Sequence, residues 1–76
     1  MIDLAAIRRA TGLTQTELAA KLGVGQAQIS KVERQDDMLI STLASYLKAL
    51  GVTASLLIGV GEQTVTYDLA AGRGAR

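Results

Sequence analysis

The sequence predicts a mostly α chain of four to five short helices followed by a C-terminal β-hairpin. Three observations carry this. Up to Leu50, apolar residues recur at helical spacing in short runs. Each run is bounded by a capping side chain or a glycine. After Gly51 the apolar period falls to two, the period of a strand.

Asp3 is placed to cap a first helix over Leu4 to Ala10, with Leu4 and Ile7 on one face and Gly12 ending it. Thr14 followed by Glu17 is a capping box, so a second helix starts near Gln15. Leu18, Ala19 and Leu22 share its apolar face, and Gly23 stops it. A third helix runs from about Gln26 to Glu33 with Ile29 and Val32 buried, behind the weak cap Gly25. Arg34 to Met38 is a polar loop. Ser41 is placed to cap a fourth helix, about Thr42 to Leu50, through which Ile40, Leu43, Leu47 and Leu50 recur at helical spacing. Tyr46 is expected in the core or at an interface. Leu56, Ile58 and Val60 then alternate with Ser55, Leu57 and Gly59. Gly61-Glu62-Gln63 is expected to turn the chain. Val65, Tyr67 and Leu69 alternate with Thr64, Thr66 and Asp68, and Tyr67 is expected to pack. These elements divide the chain into a helical module over 1–52, a hairpin over 53–69 and a flexible, basic tail over 70–76.

At 76 residues the chain is long enough for one domain. Such a domain buries only about 60% of the surface its unfolded chain exposes, so oligomerisation is expected. There is no Cys and no His. That removes disulfides, thiolate metal sites and the usual nucleophile–base pairs. Nothing marks Ser30, Ser41, Ser45 or Ser55 as activated, so no catalytic residue, metal site, cofactor or small-molecule substrate is expected. No apolar run approaches the roughly 18 residues of a membrane span. No secretory signal opens the chain, which reads as cytoplasmic. The net charge is only +1. Yet between Arg8 and Arg34 the bases Arg8, Arg9, Lys21, Lys31 and Arg34 face only two acids, Glu17 and Glu33. A basic module in a neutral chain fits a local phosphate-facing surface.

The stretch TQTELAAKLGVGQAQISKVE, Thr14 to Glu33, has the residues that two short helices need to meet at a steep angle. Ala19 sits where they come closest. Gly23 stands in the turn, where a positive φ is cheap. Leu18, Leu22, Val24, Ile29 and Val32 are expected to fill the wedge. The third helix then presents Gln26, Ala27, Gln28, Ser30 and Lys31 outward. Short, amide-bearing and basic side chains of this kind reach base edges in a major groove, which makes double-stranded DNA the expected partner.

These residues resemble the Cro/C1-type helix-turn-helix regulators, the XRE family, over about Ile7 to Val52. The matching positions are Leu13-Thr14-Gln15, Glu17-Leu18-Ala19, Leu22-Gly23-Val24, Gln26 with Ile29-Ser30 and Val32-Glu33, and Leu47 with Leu50-Gly51-Val52. The resemblance implies a compact helix-turn-helix bundle and assigns roles by position. Gln15 would hold a phosphate, and Ser30 and Arg34 would reach the sugar-phosphate. Gln26, Ala27, Gln28 and Lys31 would face bases. Arg8 and Glu33 would form a structural ion pair. It further implies a transcription regulator, a repressor, acting as a homodimer on a near-palindromic operator. Two positions depart from the family. Gly25 stands where Ser or Thr is common, and the loop Arg34 to Met38 carries two adjacent acids that would repel phosphate. Asp36-Asp37-Met38, the run Ile40 to Leu43 and the strand-rich end resemble antitoxin-type members. That gives a second reading, an antitoxin whose main partner is a toxin protein. Arg9, Lys21, Lys48, Asp36 and Asp37 are otherwise expected to be solvated. The run from Thr64 to Leu69 has no Pro, Lys or Arg to protect its edge, so the hairpin is the expected dimerisation element. Pairing through the fourth helix is its rival.

Overall fold

The computed structural model describes residues 2–69, so the tail at 70–76, with Arg73 and Arg76, lies outside the described residues. Four helices precede a two-stranded sheet: α1 (Leu4–Ala10), α2 (Gln15–Leu22), α3 (Gln26–Arg34), α4 (Ile40–Leu50), β1 (Ser55–Val60) and β2 (Gln63–Asp68). The chain divides after Leu39 into two units. No helix among the described residues is long and apolar enough to cross a membrane.

In the first unit side chains fix the starts of α1 and α2. Asp3 accepts from the Ala6 N–H at 3.0 Å, which satisfies one of the donors that α1 leaves open. At α2 both halves of the capping box form. The Thr14 hydroxyl accepts from the Glu17 N–H at 3.0 Å, and the Glu17 carboxylate accepts from the Thr14 N–H at 2.8 Å. Gly23 closes α2 in the left-handed region, with φ +74°. Its N–H donates to the Ala20 carbonyl, and the Val24 N–H donates to that of Ala19 at 3.0 Å. Leu4, Leu18, Ala19, Ile29 and Val32 are buried, while Ile7 and Leu22 are half-buried.

Val24 corrects the expectation that it fills the wedge, because its side chain is 42% exposed. What holds it in the turn is its backbone N–H, committed to the end of α2. Gly25 precedes α3 with an extended backbone and gives no side-chain cap. A Cβ there would meet open space. Gly25→Ser is therefore expected to stabilise the fold by a few tenths of a kcal/mol. That corresponds to about 1–2 °C in Tm, and an unchanged or lower melting temperature would show that the serine does not cap.

In the second unit α4 starts at Ile40, earlier than the sequence suggests. Ser41 lies in the first turn rather than at the cap. N–H groups of a first turn have no intrahelical partner, so serine fits there as well. Leu43, Tyr46, Leu47 and Leu50 form the buried stripe, with Tyr46 only 1% exposed. Ile40, at the same spacing, is instead exposed.

The strands pair antiparallel from Ser55↔Asp68 to Val60↔Gln63. The turn is two residues, Gly61-Glu62, and Gln63 already belongs to β2. Gly61 has φ +62° and Glu62 does not share the positive φ, the pattern of a type II′ hairpin turn. Paired residues share a face. Leu56, Ile58, Val60, Val65 and Tyr67 thus make one apolar face, each side chain between 40% and 57% exposed. Tyr67 is not packed, contrary to the sequence expectation.

Candidate nucleic-acid interface

The geometry of α2 and α3 follows from their buried seam. Leu18 and Ala19 on α2 and Ile29 and Val32 on α3 are all buried. With Ile29 and Val32 committed inward, helical geometry fixes which α3 residues turn outward. Gln26, Ala27, Gln28 and Lys31 are all exposed. Ser30 is half-buried and Arg34 exposed, and the Arg34 guanidinium donates to the Ser30 hydroxyl one turn away. Asp36 and Asp37 are exposed in the loop that follows.

Behind this surface lies a buried ion pair. Arg8 Nε donates to Glu33 Oε2 at 2.7 Å, with the two side chains 9% and 5% exposed. Arg8 Nη2 reaches Glu33 Oε1 at 3.4 Å, and Arg8 Nη1 donates to the Leu13 carbonyl at 2.9 Å. A guanidinium that spreads its donors over a carboxylate and a backbone carbonyl ties α1, the α1–α2 loop and the end of α3 together.

The carboxylate is also the start of a hydrogen-bonded chain to the surface. Gln15 Nε2 donates to Glu33 Oε1 at 2.9 Å. Gln26 Nε2 donates in turn to Gln15 Oε1 at 3.1 Å. The structure thus brings together Arg8, Glu33, Gln15 and Gln26, which the sequence resemblance divides among an ion pair, a phosphate contact and a base contact. The partners are 18 and 11 positions apart in sequence. No periodicity signals such a chain; the only sequence cue is that amides stand at the first position of both α2 and α3. Among the described residues no group of acidic side chains is arranged to hold a metal ion.

A family model described as helix-turn-helix matches residues 4–57. Two curated Mycobacterium tuberculosis proteins are similar to the chain. One, bearing the antitoxin name HigA3, is 42% identical over 65 residues, which are 82% of this chain and 60% of that protein. The other, bearing the antitoxin name HigA2, is 32% identical over 62 residues, 79% of this chain and 61% of that protein. The chain spans about 60% of the length of these relatives. Two solved structures share the fold. One, described as DNA-bound antitoxin HigA3, has a TM-score of 0.79 and 38% identity, covering 88% of this chain and 90% of that one. The second, described as induced DNA bending by unique dimerization of HigA antitoxin, has a TM-score of 0.76 with the same identity and coverage. With residues 4–57 matched by the family model and relatives above 30% identity on either side of the comparison, the chain belongs to the helix-turn-helix family and is homologous to the HigA-type antitoxins.

Proposed function

We propose that the chain is a sequence-specific DNA-binding regulator of HigA type. It acts as a homodimer on a near-palindromic operator, with α3 in the major groove. The observation that carries this is the outward face of α3, where Gln26, Gln28 and Lys31 stand exposed on a helix whose other face is buried. Gln pairs with adenine N6 and N7, and Lys donates to guanine. Ala27 is small enough to let α3 approach the bases or to touch a thymine methyl. A structure similar to this chain is described as DNA-bound, and the family is one of non-catalytic DNA-binding regulators. A DNA-binding role places the chain in the cytoplasm.

Selection of sites from random DNA tests the proposal. Gln28→Ala is expected to cost about 1–3 kcal/mol at one base position of each half-site and to relax preference there. Unchanged affinity and preference would remove Gln28 from the reading face.

Ser30, Arg34 and the second N–H of the Gln15 side-chain amide, left over by its bond to Glu33, supply the phosphate contacts in this proposal. Arg34→Ala is expected to weaken binding to all sequences alike, since phosphate contacts carry no base information. Binding should fall steeply with salt, with a log–log slope of about −4 to −8 for a dimer. A flat salt response would refute the electrostatic part.

A second reading concerns a toxin protein as partner. The relatives carry antitoxin names, and the acids Asp36 and Asp37 are exposed beside the basic α3, where phosphate would repel them. Titration with a toxin cognate to the HigA-type relatives is expected to give a stoichiometric complex weakened by Asp36→Asn with Asp37→Asn. No complex at micromolar concentrations would leave DNA as the partner.

A further inference from the structure

We propose that the buried Arg8–Glu33 pair sets the hydrogen-bonding polarity of Gln26 through Gln15, which makes Glu33 a specificity-determining positioning residue although it touches no base. The inference rests on the proposed reading of DNA by Gln26.

Which groups can donate decides the polarity of the chain. A guanidinium only donates and a carboxylate only accepts, whereas an amide does one at each end. Glu33 therefore requires the NH2 end of Gln15, and Gln15 Nε2 lies 2.9 Å from Glu33 Oε1. The oxygen of Gln15 is then turned to the other side. It requires a donor, and Gln26 Nε2 lies 3.1 Å from it. One N–H of Gln26 is used in this bond. Its second N–H and its Oε1 remain for DNA. That donor and acceptor are the pair adenine requires, Oε1 for the N6 amino group and N–H for N7. Guanine presents two acceptors, N7 and O6, and would set O6 against Oε1. The carboxylate at Glu33 thus determines, two hydrogen bonds away, that Gln26 favours adenine over guanine.

Glu33→Gln inverts the chain. The shortest contact of the carboxylate is with Arg8 Nε, at 2.7 Å, so the one remaining oxygen stays there. The NH2 of the new amide then occupies the place from which Glu33 Oε1 accepts from Gln15. Donor meets donor, and Gln15 turns over to present its oxygen. Gln26 turns over in response and accepts from Gln15. Only N–H groups of Gln26 now face DNA, which suits N7 and O6 of guanine.

The test is a competition titration with operator DNA and with adenine-to-guanine changes in it, carried out on the full chain. Gln26→Ala locates the base pair that Gln26 reads. There the wild type is expected to prefer adenine by about 5- to 150-fold, the range one bidentate amide contact supplies. Glu33→Gln is expected to abolish or reverse that preference while the position read by Gln28 is unaffected. Adding Gln15→Glu to Glu33→Gln restores an acceptor for the new amide and for Gln26. This double variant is expected to regain the adenine preference, at lower affinity for every sequence because the carboxylate now stands at position 15, nearer phosphate. Should Glu33→Gln not fold, Gln15→Met cuts the chain with the ion pair intact and is expected to bring adenine and guanine towards parity. If Gln26→Ala alters no position, the reading of DNA by Gln26 fails and this inference with it. If Gln26→Ala flattens one position while Glu33→Gln or Gln15→Met keeps the wild-type adenine preference there, the inference alone is overturned. It is overturned equally if the double variant loses that preference as Glu33→Gln does.

Discussion

Glu33→Ala is expected to destabilise the protein by about 3–5 kcal/mol, the cost of leaving a buried charge without its partner. The Arg8 side chain is 9% exposed, and Glu33 is where its Nε and Nη2 both donate. The loss is large against the roughly 4–11 kcal/mol that a chain of this length commands. It corresponds to a fall in Tm of more than about 12 °C, measured at equal protomer concentration because a dimer melts with concentration. Arg8→Ala is expected to act in the same direction, and also to strip the Leu13 carbonyl of its donor. The pair belongs to one network, so the double variant should cost less than the sum of the two. Replacing both by apolar residues of similar size, Arg8→Met with Glu33→Leu, is expected to recover much of the loss, since no charge is then left buried. Equal melting temperatures for Glu33→Ala and the wild type would mean that water reaches the pair and that it holds nothing together. Glu33→Gln keeps the volume and one acceptor for Arg8, so its stability effect is milder and separable from its effect on base preference.

The local structure was legible because it is written in nearest neighbours. Asp3, the Thr14–Glu17 box and Gly23 act within five residues of their own position, and the start of α1 and both ends of α2 follow from them. Helical spacing likewise identified Ile29, Val32, Leu43, Leu47 and Leu50 as buried. Spacing states which side chains share a face, but not whether anything covers that face. Ile40 and the hairpin residues Leu56, Ile58, Val65 and Tyr67 have the right period and stay exposed. Val24 fails for a different reason: its place in the turn is held by a backbone hydrogen bond, to which a hydropathy pattern is blind. The outward residues of α3 were legible as the complement of its buried stripe. The chain from Glu33 through Gln15 to Gln26 was not, because an amide at a helix start offers the same letters whether it faces water, phosphate or another amide.

The second large effect is expected at the edge of β2, where Thr66→Pro should yield a monomer. A two-stranded hairpin is marginal alone in water, and this one leaves Leu56, Ile58, Val60, Val65 and Tyr67 exposed. Antiparallel pairs alternate between hydrogen-bonded and non-hydrogen-bonded. The Leu69 N–H donates to the Ala54 carbonyl at 2.9 Å, which fixes the parity. Tyr67, Val65 and Gln63 then spend their backbone groups on β1, while Thr64, Thr66 and Asp68 turn theirs outward. Those outward groups can pair two-fold with the same strand of a second copy and give a four-stranded sheet. Two-fold pairing also joins the two apolar faces into one continuous surface. Proline at position 66 removes one outward N–H and leaves the bonds to β1 in place, and an edge strand tolerates it. Losing the second half-site contact removes a gain in avidity of about 10²–10⁴-fold. Sedimentation should therefore report a monomer, and affinity for the paired operator should fall by that factor, while circular dichroism still reports the helices. Leu57→Pro, which alters the outer edge of β1, is expected to leave the dimer intact. If Thr66→Pro sediments as a dimer and binds paired half-sites as the wild type does, the β2 edge is not the interface, and pairing through α4 takes its place.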